Sequence, residues 1–212
     1  MRESGRVPST TVARRQRMRP AKVAVFALCL VPFGQLVFLA ASGNLGVNPI
    51  ETVTLFTGRW TLRFLLLTLA VTPVRRVFGW NRVIQFRRML GLFAFFYGCL
   101  HFTTYVVLDQ FFDWQTIVED VTKRPFIMAG AAAFALLIPL AITSTQGWIR
   151  RLGRRWTLLH TLVYPAALLA ILHFVWKVKS DLRSPARYAA VLALLLAFRL
   201  AWASWRKYQR TL

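Results

Sequence analysis

Apolar residues gather along the chain into six long runs, separated by short polar and mostly basic stretches. The runs cover residues 23–41, 61–78, 89–108, 125–143, 156–176 and 186–202. At about 1.5 Å of rise per residue, helices of this length reach ~30 Å, the thickness of a bilayer's hydrocarbon core. Pro32 and Gly34 fall inside the first run, and membrane helices tolerate both. The stretch 42–60 is rich in Gly, Asn and Pro; Asn48-Pro49 marks a turn, and a short interfacial helix is expected over 50–56. The fourth run opens on Pro125, a helix-start residue, and carries Gly130 and Ala131 to Ala133, small enough for close helix approach. No internal repeat or low-complexity segment stands out. The pattern predicts an all-α integral membrane protein, a six-transmembrane-helix bundle. Its parts are a basic segment over 1–22, the spans over 23–205 and a short tail over 206–212.

Composition agrees. Of 212 residues, 57% are hydrophobic and 17% charged, and mean hydropathy is +0.49, outside the range of a soluble domain. A net charge of +21 would fit nucleic acid if it formed one soluble patch, but the cations fall between apolar runs, so no nucleic-acid partner is expected. Nineteen of them lie in the leader (Arg2, Arg6, Arg14, Arg15, Arg17, Arg19, Lys22), the second and fourth loops and the tail, ending with Arg206, Lys207 and Arg210. Seven lie on the other side (Arg59, Lys123, Arg124, Lys177, Lys179, Arg183, Arg187), with six of the seven acids. Positive charge marks the cytoplasmic side, so both termini are expected there, against membrane lipid. The first run follows basic residues and precedes Ala40-Ala41-Ser42, yet exceeds a signal-peptide core in length and is read as a retained span. Cys29 and Cys99 sit in mid-run as small buried hydrophobes, and no CxxC or CxxCH occurs.

The chemistry then narrows to three histidines, all inside apolar runs: His101 in the third, His160 and His173 in the fifth. Ionisable groups inside a membrane are costly and point to function. With no intramembrane carboxylate beside them, ligation is favoured over ion translocation. Runs three and five are parallel, so His101 and His173 share one depth near the outer face, where two neutral imidazoles can hold a haem iron from both sides. Ala94, Gly98, Ala166 and Ala170 recur beside them at helical spacing, as a clearing for a flat macrocycle or as packing residues. His160 lies ~20 Å away along the helix, where run three offers only Arg87 or Arg88. It is read as serving a quinone, a flavin or a second haem. Pro165, between the two histidines, can bend or unwind the run. Arg63 and Arg199 pair with a haem propionate or snorkel. The cluster Arg75, Arg76, Arg82, Arg87, Arg88, Arg150 and Arg151 grips a flavin phosphate or serves as a topology signal.

Several ordered motifs carry a family resemblance: Thr57-Gly58-Arg59-Trp60, Thr72-Pro73-Val74-Arg75, Arg88-Met89-Leu90-Gly91-Leu92, and Tyr97 through His101 to Tyr105 and Asp109. Lys123-Arg124-Pro125-Phe126, Pro139 to Ser144, Arg151 to Trp156, Leu159-His160 and His173-Phe174 follow. Over about residues 45–181 the chain resembles the MsrQ (YedZ) family, haem-binding membrane subunits of the bacterial MsrPQ protein-methionine-sulfoxide reductase. The resemblance implies a ferric-reductase-like transmembrane domain in the inner membrane, akin to NADPH oxidases and STEAP reductases, with haem b and FMN as cofactors. It implies electron flow from the quinone pool to MsrP, a periplasmic molybdopterin subunit that repairs oxidised methionine. The family's iron ligands fall on His101, His160 and His173. The wider superfamily carries two histidines on each of two helices, whereas this chain has one in run three.

No Gly-rich dinucleotide loop occurs, so the chain reads as a non-catalytic electron relay supplied by another carrier. The alternatives are a small transporter, or a scaffold whose histidines only pack. The acid-bearing stretch 109–124, with Asp113, Glu119 and Asp120, is the expected docking surface for the partner.

Overall fold

The computed structural model describes residues 19–178 and 181–209. Arg2, Arg6, Arg14, Arg15 and Arg17 of the leader, together with Lys179 and Arg210, lie outside the described residues, as does most of the 1–22 segment. Among the described residues all regular structure is helical. In chain order the helices are α1 (Arg19–Ala41), α2 (Pro49–Phe78), α3 (Arg87–Thr103), α4 (Trp114–Lys123), α5 (Pro125–Ile142), α6 (Gln146–Leu152), α7 (Arg154–Leu159), α8 (Val163–Lys177) and α9 (Arg183–Tyr208). A 3-10 segment leads into α3 from Asn81, and a π-helical segment, Thr104–Asp109, extends it.

Among the described residues five stretches are long and apolar enough to cross a membrane: Pro20–Ala41, Asn81–Asp109, Pro125–Ile142, Arg154–Lys177 and Arg183–Tyr208. The sixth expected span is part of α2, whose Arg59, Arg63, Arg75 and Arg76 dilute its apolar centre. The separate interfacial helix expected over 50–56 does not exist. Asn48 caps α2 by accepting from the Glu51 N–H at 3.2 Å, and Pro49 starts it with the required φ. The helix then runs 30 residues without a break, until Gly79 turns left-handed at φ 66°. The fifth run is broken as Pro165 allows. Proline has no N–H for the Thr161 carbonyl, and residues His160–Leu162 tighten into a 3-10 turn between α7 and α8.

Two antiparallel pairs, α2 with α3 and α5 with α8, make the body of the bundle, and α9 lies against α2 and α8. Small residues permit the approach: Ala94, Ala166 and Ala167 are wholly buried in the core with Leu65, Leu69 and Tyr97. Tyr97 stacks on Phe64 at 5.3 Å and donates to the Cys29 carbonyl at 2.9 Å, which ties α1 to the bundle. Cys29 and Cys99 are free thiols; Cys29 is buried as expected, whereas Cys99 is only half-buried. The described acids, Glu51, Asp109, Asp113, Glu119, Asp120 and Asp181, all lie at the end where α2 and α5 begin. The other end is rich in arginine.

At the acid-bearing end the π-helical segment and α4 are locked together. Tyr105 donates to Asp120 Oδ2 at 3.0 Å, and Arg124 Nε meets Oδ1 at 3.0 Å, leaving Asp120 only 4% exposed. Asp113 caps α4, where Thr116 donors hold its carboxyl below the usual carboxylate range, and Glu119 pairs with Lys123. The three acids expected to dock a partner are therefore engaged within the chain, and Asp120 is out of a partner's reach. Asp120→Ala strands the Tyr105 hydroxyl and the Arg124 guanidinium, so it should lower stability in detergent by ~2 kcal/mol. A thermal melt of the purified variant checks this; an unchanged midpoint would mean the lock is decorative.

Candidate functional site

His101 on α3 and His173 on α8 face each other at the acid-bearing end, their ring centroids 6.0 Å apart and their planes at 77°. Each ring is fixed the same way. His101 Nδ1 lies 2.9 Å from the Thr54 carbonyl on the first turns of α2, and His173 Nδ1 lies 2.7 Å from the Phe126 carbonyl at the start of α5. A carbonyl oxygen only accepts, so Nδ1 carries the proton in both rings and donates. Both Nε2 atoms therefore keep their lone pairs.

Each ring also rests on a glycine one turn further along. A Cβ built on Gly58 would stand 3.1 Å from His101 Nδ1, and one on Gly130 would stand 2.7 Å from His173 Nδ1. A side chain at Gly130 would force the His173 ring to shift, and one at Gly58 would crowd His101 by a few tenths of an ångström. Neither glycine was identifiable as part of the site from spacing alone; Gly130 read only as a helix-packing residue.

The matching seats expose a repeat that the sequence pattern had seemed to lack. Thr54, Gly58 and His101 recur as Phe126, Gly130 and His173, each 72 positions on, and the span from carbonyl to histidine is 47 residues in both halves. At the same offset Leu100-His101-Phe102 becomes Leu172-His173-Phe174, Ala94 becomes Ala166, Leu65 becomes Leu137 and Arg82 becomes Arg154. The pairs α2–α3 and α5–α8 thus seat their histidines in the same way. Few identities survive, which hid the register; the shared hydrogen bonds reveal it.

His160 does not join the pair. Its place in the first half is taken by Arg88, so it has no histidine opposite. Its ring stacks on Trp156 at 4.0 Å, and its Nε2 lies 3.1 Å from Thr143 Oγ1. That hydroxyl already donates to the Pro139 carbonyl at 2.6 Å, so it must accept from His160. His160 thus spends Nε2 on Thr143 and presents Nδ1, the reverse of the other two. Trp156 Nε1 donates to the Thr143 carbonyl at 3.0 Å, which makes Thr143 the anchor of this end.

The arginines divide as follows. Arg63 Nε donates to the Tyr188 hydroxyl at 3.1 Å, with the guanidinium 4.5 Å from the Trp60 ring centre. Arg75 donates to Asn81 Oδ1 at 2.9 Å, and Arg88 is exposed. Neither builds an enclosed phosphate cradle. Arg199 does not snorkel: it turns into the bundle, donating to the Tyr164 hydroxyl at 2.7 Å and the Leu69 carbonyl at 2.8 Å. Pro73, four residues after Leu69, leaves that carbonyl without its helical N–H, and the arginine takes its place. The small residues flanking the histidines pack rather than form a clearing. Ala94 and Ala166 are core, and a Cβ on Gly98 would already touch Phe134 at 3.5 Å.

The helical bundle defines a multi-pass membrane component. Residues 57–171 match the family described as Ferric reductase like transmembrane component. A Herminiimonas arsenicoxydans protein named "Protein-methionine-sulfoxide reductase heme-binding subunit MsrQ" is 53% identical over 189 residues, covering 88% of this chain and 86% of its own length. Proteins of the same name from Rhodospirillum rubrum and Xanthomonas euvesicatoria are each 52% identical, over 187 and 193 residues. They cover 88% of this chain and 90% and 87% of their own lengths. No solved structure matches. The chain belongs to the MsrQ family of ferric-reductase-like transmembrane components.

The two seats differ in tightness, and substitution should read the difference. Gly130→Ala should cost more stability than Gly58→Ala, within the ~1–3 kcal/mol typical of overpacking, because its added methyl falls closer to the ring. Paired thermal melts test the order; equal losses would show that the rings yield freely.

Proposed function

We propose that the chain is the haem b electron-transfer subunit of a protein-methionine-sulfoxide reductase system, with His101 and His173 as the axial ligands. The observation that carries this reading is the pair of facing imidazoles, each anchored by Nδ1 and each keeping the Nε2 lone pair. His101 and His173, their ring centres 6.0 Å apart, would hold the iron between them through Nε2. The donor count fits as well. Among the described residues no three His, Cys, Asp or Glu side chains converge, so a bare metal lacks its ligands, whereas haem iron needs only two from the protein. Haem supplies a one-electron iron couple when bound.

The chain's own residues do the rest. The Thr54 and Phe126 carbonyls hold the imidazoles in one tautomer and raise their basicity as ligands. Arg63, midway along α2, engages Tyr188 through Nε and can offer the far side of its guanidinium to a propionate. His160, bound to Thr143 and stacked on Trp156, lies outside the pair and serves the donor side. α2 counts as the sixth span, with Arg63 midway along it held by Tyr188 and stacked on Trp60. The arginine-rich end then lies in the cytoplasm with both termini, in a bacterial inner membrane, and 1–22, 23–205 and 206–212 are leader, transmembrane domain and tail. Electrons enter from the quinone pool or a flavin donor and leave at the acid-bearing end for a periplasmic molybdopterin subunit, MsrP. FMN finds only the open Arg75 and Arg88 region here, and no step is assigned to it.

Absorption spectra of the purified protein, oxidised and dithionite-reduced, test the proposal. The Soret and α bands of a low-spin b haem are expected, and a colourless but folded preparation would refute it. His101→Ala and His173→Ala should each abolish those bands, while His160→Ala should leave them largely intact.

A further inference from the structure

The seam between α2 and α9 at the arginine-rich end contains a donor with nothing to donate to. Arg199 uses its two terminal nitrogens on Tyr164 and Leu69, but its Nε is buried without a partner among the described residues. Its two acceptors, a phenol and a carbonyl, are neutral. One turn beyond Arg199 on the same face of α9 is Trp202, with the Arg76 guanidinium 5.1 Å from its ring centre, and one turn further is Arg206. Arg76 feels the charges of Arg75, Arg199 and Arg206 together. The three arginines of the seam climb about 10 Å from the interior to the rim.

No carboxylate answers them, since all six described acids lie at the opposite end of the bundle. A partly buried guanidinium without a counter-charge is costly, and the like charges around it add to that cost. The missing negative charge must come from outside the described chain. α9 leaves most of its surface uncovered by protein, with only 6% of its apolar window buried, so the seam opens sideways to lipid rather than into a closed cavity.

We propose that this seam binds the phosphate headgroup of an anionic phospholipid. Arg206 and Arg76 meet the phosphate at the rim, and Arg199 draws it inward and fixes α9 against α2 and α8. Basic clefts between helices on the cytoplasmic side suit such headgroups. The assignment of leaflet rests on the topology proposed above; the site itself rests on the arginines and the orphaned donor.

The test uses the full chain with its bound cofactor, in nanodiscs of phosphatidylglycerol or phosphatidylcholine, released for native mass spectrometry. The wild type should retain phosphatidylglycerol and lose phosphatidylcholine. Arg206→Gln and Arg76→Gln, both near the rim and outside the buried core, should each weaken retention about fivefold, with the haem spectrum unchanged. Equal retention of both lipids, or full retention by the double variant, would overturn the site. So would equal thermal protection by inorganic phosphate alone, which would make the ligand a free anion. Loss of haem with lipid retained in Arg199→Gln would assign the arginine to a propionate instead. A colourless protein that still selects phosphatidylglycerol would refute the haem function and spare this site; a coloured protein without lipid preference would do the reverse.

Discussion

Everything at the acid-bearing end depends on two hydrogen bonds from imidazole Nδ1 to main-chain carbonyls. A histidine in an apolar bundle has two nitrogens and can satisfy either, so its tautomer is set by its neighbour. The first turns of α2 and α5 supply that neighbour. Their carbonyls at Thr54 and Phe126 can be reached only because Gly58 and Gly130 leave the helix surface bare beside them. The bond that orients each ring and the gap that admits it therefore come from one turn of one helix. Moving either helix by a fraction of a turn would break both, which is why the packing of α2 on α3 and of α5 on α8 is part of the site rather than its container.

Much of this was legible in the sequence, and what was not has physical reasons. Apolar length located α1, α3, α5 and α9, and the shared depth of His101 and His173 followed from topology and a fixed rise per residue. Their directions did not follow, because depth says nothing of rotation about the helix axis. The glycine seats stayed hidden because a glycine's contact with a ring depends on a partner more than 40 residues away. α2 was cut short because its arginines interrupted the apolar pattern, while its cap, proline start and glycine stop, all readable, define one long helix. Arg199 looked like a snorkelling residue because snorkelling is the usual recourse of a lone cation. Its actual acceptor exists because Pro73 frees the Leu69 carbonyl, a pairing that joins residues 130 positions apart.

The acidic stretch has structural uses that the sequence pattern does not show. Asp113, Glu119 and Asp120 looked like a surface for a partner because exposed charge is the default for a carboxylate between spans. In the fold they are structural: a cap, a helix-surface pair and a buried lock. The lock joins α4 to the π-helical segment that follows His101, so these acids act on the histidine pair by bracing the end of α3. Asp120 is withdrawn from any surface offered to a partner at this end, whereas Asp113 and Glu119 stay exposed on it.

The repeat explains why the two ends of the bundle differ. Two helix pairs that seat their histidines in the same way, facing each other, would present two equivalent positions at each end. At the acid-bearing end both pairs have histidine, glycine and carbonyl, and the positions meet. At the other end one position carries His160 and the other Arg88, and the equivalence is lost. A symmetric ligand such as haem iron, taking one nitrogen from each side, is served by the first arrangement and not by the second. With its Nε2 spent on Thr143, His160 is suited to a different task from its counterpart at the far end of the same run. One end thus holds a matched pair of imidazoles, and the other holds a single imidazole, His160, with Arg88 at the corresponding position.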